Sequence, residues 1–289
     1  MRKFILISMI TLASVSLGAC RQNVTIKQDA PGQKAFLTDG QIYDLHSGKI
    51  ISSSELLADL ATAQHLIIGE KHDNAEHHQI ELWLIQNLLI QRPQGSVLLE
   101  MLTSEQQPRV NQVKCWLKDN PVVRDSRVQE LLNWQKGWSW EMYGDIVMQL
   151  LRGPYPLLNA NIGREQILAL YKKNEFPKGK KSTAPVVQEA LRETIISMHE
   201  GNLESQQLTS MLSIQQQRDR YMARQLLSAP SLLIAGGYHA SKSMGVPLHM
   251  EDLATGTHPV VLMLAEKGMN ITVDHADYVW FVAPDTTKR

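Results

Sequence analysis

Apolar residues in this chain fall into short unbroken runs, each closed by polar groups. The run 66–68 leads into Gly69, Glu70, Lys71 and His72, and the run 97–99 into Glu100. Residues 156–158 lead into Asn159 and Asn161, and 232–235 into Gly236, Gly237, Tyr238 and His239. Runs of three or four apolar residues, separated by helical stretches, predict strands buried on both faces. The fold class that follows is α/β, a mostly parallel sheet flanked by helices. In an open sheet of that kind, ligands bind outside the carboxyl ends of the strands. The carboxyls, amides, histidines and tyrosine that close these runs are therefore expected to meet in one crevice.

The rest of the pattern places those strands. Residues 41–45 alternate, and a turn at Ser47 and Gly48 leads to 49–51, which predicts a small hairpin. Ser53 or Ser54 can cap a short helix through Ala63. Asp73 with Glu76 three residues on reads as a capping box for the next helix, whose apolar face carries Ile80, Trp83, Leu84 and Leu88. Helical pattern then fills 104–152, with breaks at Asn120-Pro121 and near Gly137. A helix starting at Ser139 puts Trp140, Tyr143 and Val147 on one face. A further helix opens at Arg164 and runs to about Lys173. Residues 174–203 carry no strand signal and predict a small helical subdomain inserted into the sheet. A long helix, about 205–227, precedes the strand 231–236, and strands 260–264 and 278–282 finish the sheet.

The N-terminus changes the picture of where the protein works. Arg2 and Lys3 are followed by an uncharged stretch to Ala19, too short for a retained membrane helix. It closes with Leu17, Gly18, Ala19 and Cys20, which resembles a bacterial lipobox with Cys20 as the lipidated mature terminus. Residues 1–19 are then a signal peptide, 20–33 a polar tether, and 34–285 the folded body. Arg21 after the cysteine favours the outer membrane of a Gram-negative envelope. Loss of Arg2 and Lys3 takes the balance from 29 basic and 29 acidic residues to 27 against 29. With no long basic block, nucleic-acid binding has no electrostatic support. With Cys20 lipidated, Cys115 is the one thiol left, and it is expected to serve as a small buried hydrophobe.

Glu70 and His72, two apart past a strand, point to the same side in extended geometry. That suits an acid/base pair, a metal pair, polar clamps on a ligand, or a hydrogen bond that orders the turn. His77 and Glu81 share a helix face but lack the His-Glu-x-x-His pattern. Gly236 and Gly237 allow a tight turn or a close approach to a ligand, with His239 facing the crevice of His72 and Tyr238 alternating away. The tryptophans 116, 134, 138 and 140 with Tyr143 read either as a small core or as a pocket wall for a flat apolar ligand. No Gly-x-Ser-x-Gly elbow, phosphate loop or dinucleotide fingerprint is present.

Six motifs in order resemble the ChaN-like haem-binding lipoproteins. They are Gly69-Glu70-x-His72-Asp73-Asn74 with His77-His78, Leu99-Glu100-Met101, Trp138-x-Trp140-x-x-Tyr143, Leu158-Asn159-Ala160 with Arg164-Glu165, Gln216-x-x-Asp219-x-x-Met222-Ala223, and Gly236-Gly237-Tyr238-His239 with Gly245-Val246-Pro247. The chain departs from the pattern at His249, where the family often carries arginine. The resemblance implies haem as cofactor and a role in iron acquisition through a haem receptor or transporter. It implies homodimers that stack two haems, each iron held by a tyrosine. Tyr143 is the first candidate for that ligand and Tyr238 the second. His72, His239, Glu70 and Glu100 are the expected pocket residues. The wider superfamily holds erythromycin-esterase-like and Tiki/TraB-type proteins, so a Glu/His-based or metal-dependent hydrolase is the alternative reading.

Overall fold

The computed structural model describes residues 40–284 apart from 93, 94, 200, 202 and 229. The expected signal peptide, Cys20 and the tether lie outside the described residues. Eight strands form one sheet: β1 (Gln41–Asp44), β2 (Lys49–Ile51), β3 (His65–Glu70), β4 (Ser96–Thr103), β5 (Leu157–Asn161), β6 (Ser231–Gly236), β7 (Val260–Glu266) and β8 (Tyr278–Val282). Their order is β2-β1-β8-β7-β3-β6-β4-β5. From β8 to β5 every pairing is parallel, while β1 runs antiparallel to both β2 and β8. The predicted hairpin and mostly parallel sheet are thus both present.

Each central strand is buried on both faces because its apolar residues alternate between two cores. Leu66, Ile68, Leu232 and Ile234 face one side with the helices α1 (Ser53–Ala61), α2 (Ala75–Gln91), α3 (Gln107–Asp119), α4 (Asp125–Leu132) and α5 (Trp140–Arg152). Ile67, Leu98, Leu233 and Ala235 face the other, among residues of α8 (Ser205–Leu226), α9 (Gly237–Ala240) and α10 (Val246–Leu253). Each such leucine or isoleucine contributes about 1.5–3 kcal/mol by leaving water. The helices between are α6 (Arg164–Lys173) and α7 (Pro185–Met198). In the segment 174–203, Val187, Leu191 and Ile195 of α7 pack on Leu208 and Leu212 of α8.

Three local expectations are corrected. The N-cap of α2 is Asn74, not Asp73, because the Asn74 side chain accepts from the N–H groups of Glu76 and His77. Cys115 is exposed rather than buried. Helix α3 buries Val110, Val113 and Leu117, and position 115 lies off that stripe. The short helices α9 and α10 follow β6 directly, where the pattern showed only a turn. Among the described residues, no helix is long and apolar enough to cross a membrane.

Candidate functional site

Strands β3, β6 and β4 are neighbours, so their carboxyl ends form one surface. Glu70 closes β3 and pairs in register with Gly236, which closes β6. Glu100 lies in β4 beyond its last paired position with β6, and its Oε2 accepts the Gly236 N–H at 2.8 Å. His72 leaves β3 two residues on, and its imidazole passes over Gly236. A methyl group built at Gly236 would stand 2.9 Å from that ring. Helix α9 starts at Gly237, which turns His239 inward and leaves the Tyr238 phenol 49% exposed.

The charged side chains form a continuous row. Asp219 of α8 bonds His239 Nδ1 at 2.5 Å, and the Gln215 amide lies 3.1 Å from the same nitrogen. His239 Nε2 lies 3.3 Å from Glu100 Oε1, and His72 Nε2 lies 3.9 Å from Glu100 Oε2. On its far side His72 Nδ1 meets Glu70 Oε1 at 2.5 Å. The Tyr143 hydroxyl donates to that same oxygen at 2.8 Å. Trp138 stands edge-on to His72, with centroids 4.9 Å apart, and also to Tyr143. The row is closed to solvent except at His72, whose side chain is 41% exposed.

Electrostatics follow from that packing. Burial disfavours a charge on His239, but Glu100 and Asp219 outweigh it and lift its pKa to about 10. Burial disfavours the Glu100 carboxylate, yet His239 and His72 hold it down at about 2. Burial wins at Asp219 and raises it despite His239. His72 is also raised, its burial offset by Glu70 and Glu100. Tyr143 is 1% exposed, and burial together with Glu70 pushes its phenol far above the ordinary range.

The structure brings His72, His239, Glu70, Glu100 and Tyr143 together, with Tyr238 beside them on the surface. Two groups expected in the crevice serve elsewhere. Asn159 bonds the Tyr221 hydroxyl and Gln107, and Asn161 donates to the Glu100 carbonyl. They brace β5 against α8, α3 and β4. His77 and Glu81 do not act as a pair. His77 Nδ1 accepts from the Lys71 N–H, while Glu81 bonds His78 Nδ1. At the departure position, His249 is buried and accepts from Arg220 Nε at 3.0 Å. Burial holds its pKa at about 3, so the cation near it is Arg220. Asp219 was absent from the sequence-derived site. The signal for it was a carboxylate inside the buried stripe Leu212, Gln216, Asp219, Ala223 and Leu226 of α8.

A family described as haem-binding uptake, Tiki superfamily, ChaN matches residues 56–250. Among solved structures, the chain resembles ChaN of Campylobacter jejuni, described with cofacial haem binding. The two are 32% identical over 84% of this chain and 96% of that one, with a TM-score of 0.76. An erythromycin esterase in its open conformation is 14% identical over 74% of this chain and 72% of that one, TM-score 0.43. The type III effector HopBA1 is 11% identical over 79% and 91%, TM-score 0.44. Curated proteins give no match.

Proposed function

The chain belongs to the ChaN haem-binding uptake family of the Tiki superfamily, and from that premise we propose that it binds haem at the carboxyl ends of β3, β6 and β4, as a lipid-anchored outer-membrane protein of iron acquisition. The observation that carries the reading is a pair of donors at the carboxyl ends of β3 and β6. The Tyr238 phenol and the His72 imidazole are both about half exposed, and they leave the ends of adjacent, in-register strands. Trp138 adds an aromatic edge beside His72. An oxygen donor, a nitrogen donor and an aromatic wall fit a flat, largely apolar macrocycle.

Haem, when bound, supplies an iron centre that takes axial oxygen or nitrogen donors. Tyr238 rather than Tyr143 provides the oxygen in this reading. The Tyr143 hydroxyl is buried and already donates to Glu70, while Tyr238 meets solvent. Glu70 holds His72 Nδ1, and the other edge of the half-exposed ring lies over Gly236, with Nε2 3.9 Å from Glu100. His239, Glu70 and Glu100 sit behind this surface and fix it. The relative's cofacial haems and the exposed position of Tyr238 support a homodimer. The lipobox-like N-terminus supports the anchor and the envelope location, from which haem would pass to a receptor or transporter.

A Soret titration of protein lacking residues 1–20 tests the reading. A saturable shift is expected, with a high-spin spectrum that disappears in Tyr238→Phe and persists in Tyr143→Phe. A wild-type protein with no saturable shift would remove the haem reading. The buried row of carboxylates and imidazoles favours a second reading, a Glu/His-based hydrolase. Ester and peptide turnover assays separate the two, and the expected outcome is no turnover.

A further inference from the structure

One basic stretch of the chain has no part in the site. Residues 164–181 hold Arg164, Lys172, Lys173, Lys178, Lys180 and Lys181 against Glu165 and Glu175, in a chain whose 29 basic and 29 acidic residues balance. All six cations are exposed. Among the described residues none of the six pairs with a carboxylate. Helix α6 carries the first three. Its inner residues Ile167 and Leu170 pack on Ile162 and on Ile214 of α8. Arg164, Leu168, Tyr171 and Lys172 share another flank, at i, i+4, i+7 and i+8, where Leu168 and Tyr171 are 51% and 43% exposed. The backbone beneath the remaining lysines is fixed from inside. The Ser213 hydroxyl donates to the Glu175 carbonyl at 2.8 Å and the Gln216 amide to the Ser182 carbonyl at 2.7 Å, both from buried positions of α8. Asp252 accepts the N–H groups of Lys180 and Lys181 at 2.8 Å each. Buried polar groups are thus committed to the backbone of a turn whose lysine side chains all reach solvent.

We propose that α6 and the turn at 178–181 form a docking face for an anionic phospholipid surface, with Leu168 and Tyr171 at headgroup level and the six cations among the lipid phosphates. Charge complementarity selects an anionic partner, and the residue types select lipid. Leucine and tyrosine on one flank of a basic helix fit the boundary of headgroups and acyl chains. All but one of the cations are lysines, whose ammonium groups are flexible point charges suited to mobile phosphates. A protein interface would instead be enriched in arginine and depleted of lysine. The face lies over α6 and α8, on the side of the sheet away from α1 to α5. The inference goes beyond the haem site, and rests on the anchored reading only for the bilayer that this face would meet.

Co-sedimentation with vesicles tests this, using haem-free protein lacking residues 1–20, which keeps every strand and helix described above. Wild type should bind vesicles of phosphatidylcholine and phosphatidylglycerol in equal parts, and should not bind phosphatidylcholine alone. Binding should weaken as NaCl rises from about 0.1 M to about 0.5 M, because the screening length shortens. Lys178→Gln, Lys180→Gln and Lys181→Gln combined should weaken binding on the order of 100-fold, each cation near such a surface being worth about fivefold. Leu168→Ser with Tyr171→Ser should weaken it about tenfold or more. Lys118→Gln, on α3 across the sheet, should bind as wild type does. Every substituted side chain is exposed, so circular dichroism should match wild type throughout. Failure of wild type to bind the anionic vesicles overturns the proposal. So does equal binding to both kinds of vesicle, or unchanged binding in either multiple variant. Neither haem nor a lipid anchor is present, so the result stands whatever the Soret titration gives.

Discussion

The tyrosines 143 and 238 show how one residue type divides into two roles by burial. The Tyr143 hydroxyl is a hydrogen-bond donor to a buried carboxylate. Its loss in Tyr143→Phe leaves that oxygen with His72 Nδ1 as its remaining donor, and a decrease in stability of about 1–3 kcal/mol is expected from urea denaturation. Tyr238→Phe removes an exposed hydroxyl and should leave stability within about 0.5 kcal/mol of wild type. The opposite order is expected in the haem spectra. Glu70, His72, Glu100 and His239 could be read from the sequence because each follows an apolar run. Asp219 stood out only as a carboxylate in a helical stripe; its pairing with His239, twenty residues away across a packing contact, is encoded by no local pattern.

At the scale of elements, one carboxylate clamps the turn at residues 180–182, within the segment 174–203. Asp252 of α10 accepts the N–H groups of Lys180, Lys181 and Ser182 and the Ser182 hydroxyl, at 2.6–2.9 Å. Gly179 permits the loop to close on it, since a methyl group there would lie 2.1 Å from Asp252 Oδ2. Gly179→Ala should therefore loosen the segment and expose it to limited proteolysis. Burial alone would raise the Asp252 carboxyl, but these donors outweigh it and hold it at about 2, below the ordinary 3.8. A depressed carboxyl stabilises the fold above its unfolded pKa, and that contribution fades as pH falls through the folded value. That contribution should be present above pH 4 and fade toward pH 2. Denaturation of wild type and Asp252→Asn at pH 6 and pH 2.5 checks it, the difference between them being large at the first and small at the second. The helical character of the segment was visible in its sequence. The clamp was not, because residues seventy positions apart make it.

For the molecule as a whole, the sheet order decides where stability and function lie. Strands β3 and β6 are central, and both have neighbours on each side. Arg92 ties their amino ends together by donating to the carbonyls of Ala63, Gln64 and Ser231. The row of carboxylates and imidazoles lies at their other ends, on backbone paired on both sides. Native-state hydrogen exchange should be slowest at Ile67, Ile68, Leu233 and Ile234 and fastest in the edge strand β2. Rapid exchange in β3 and β6 would contradict this placement of the site.

The sequence by itself determined the α/β class, the run of buried strands, the family and most of the residues of the site. These are local or linear properties: hydrophobic period, turn chemistry and the order of motifs survive without knowing what touches what. Only the tertiary structure decided that His72 and His239 share one carboxylate, that Tyr143 is buried while Tyr238 is exposed, and that Asn159 and Asn161 brace strands. Those outcomes depend on strand order and on the angle at which α8 and α9 meet the sheet. Contacts between distant segments fix both, and no stretch of the chain carries that information alone.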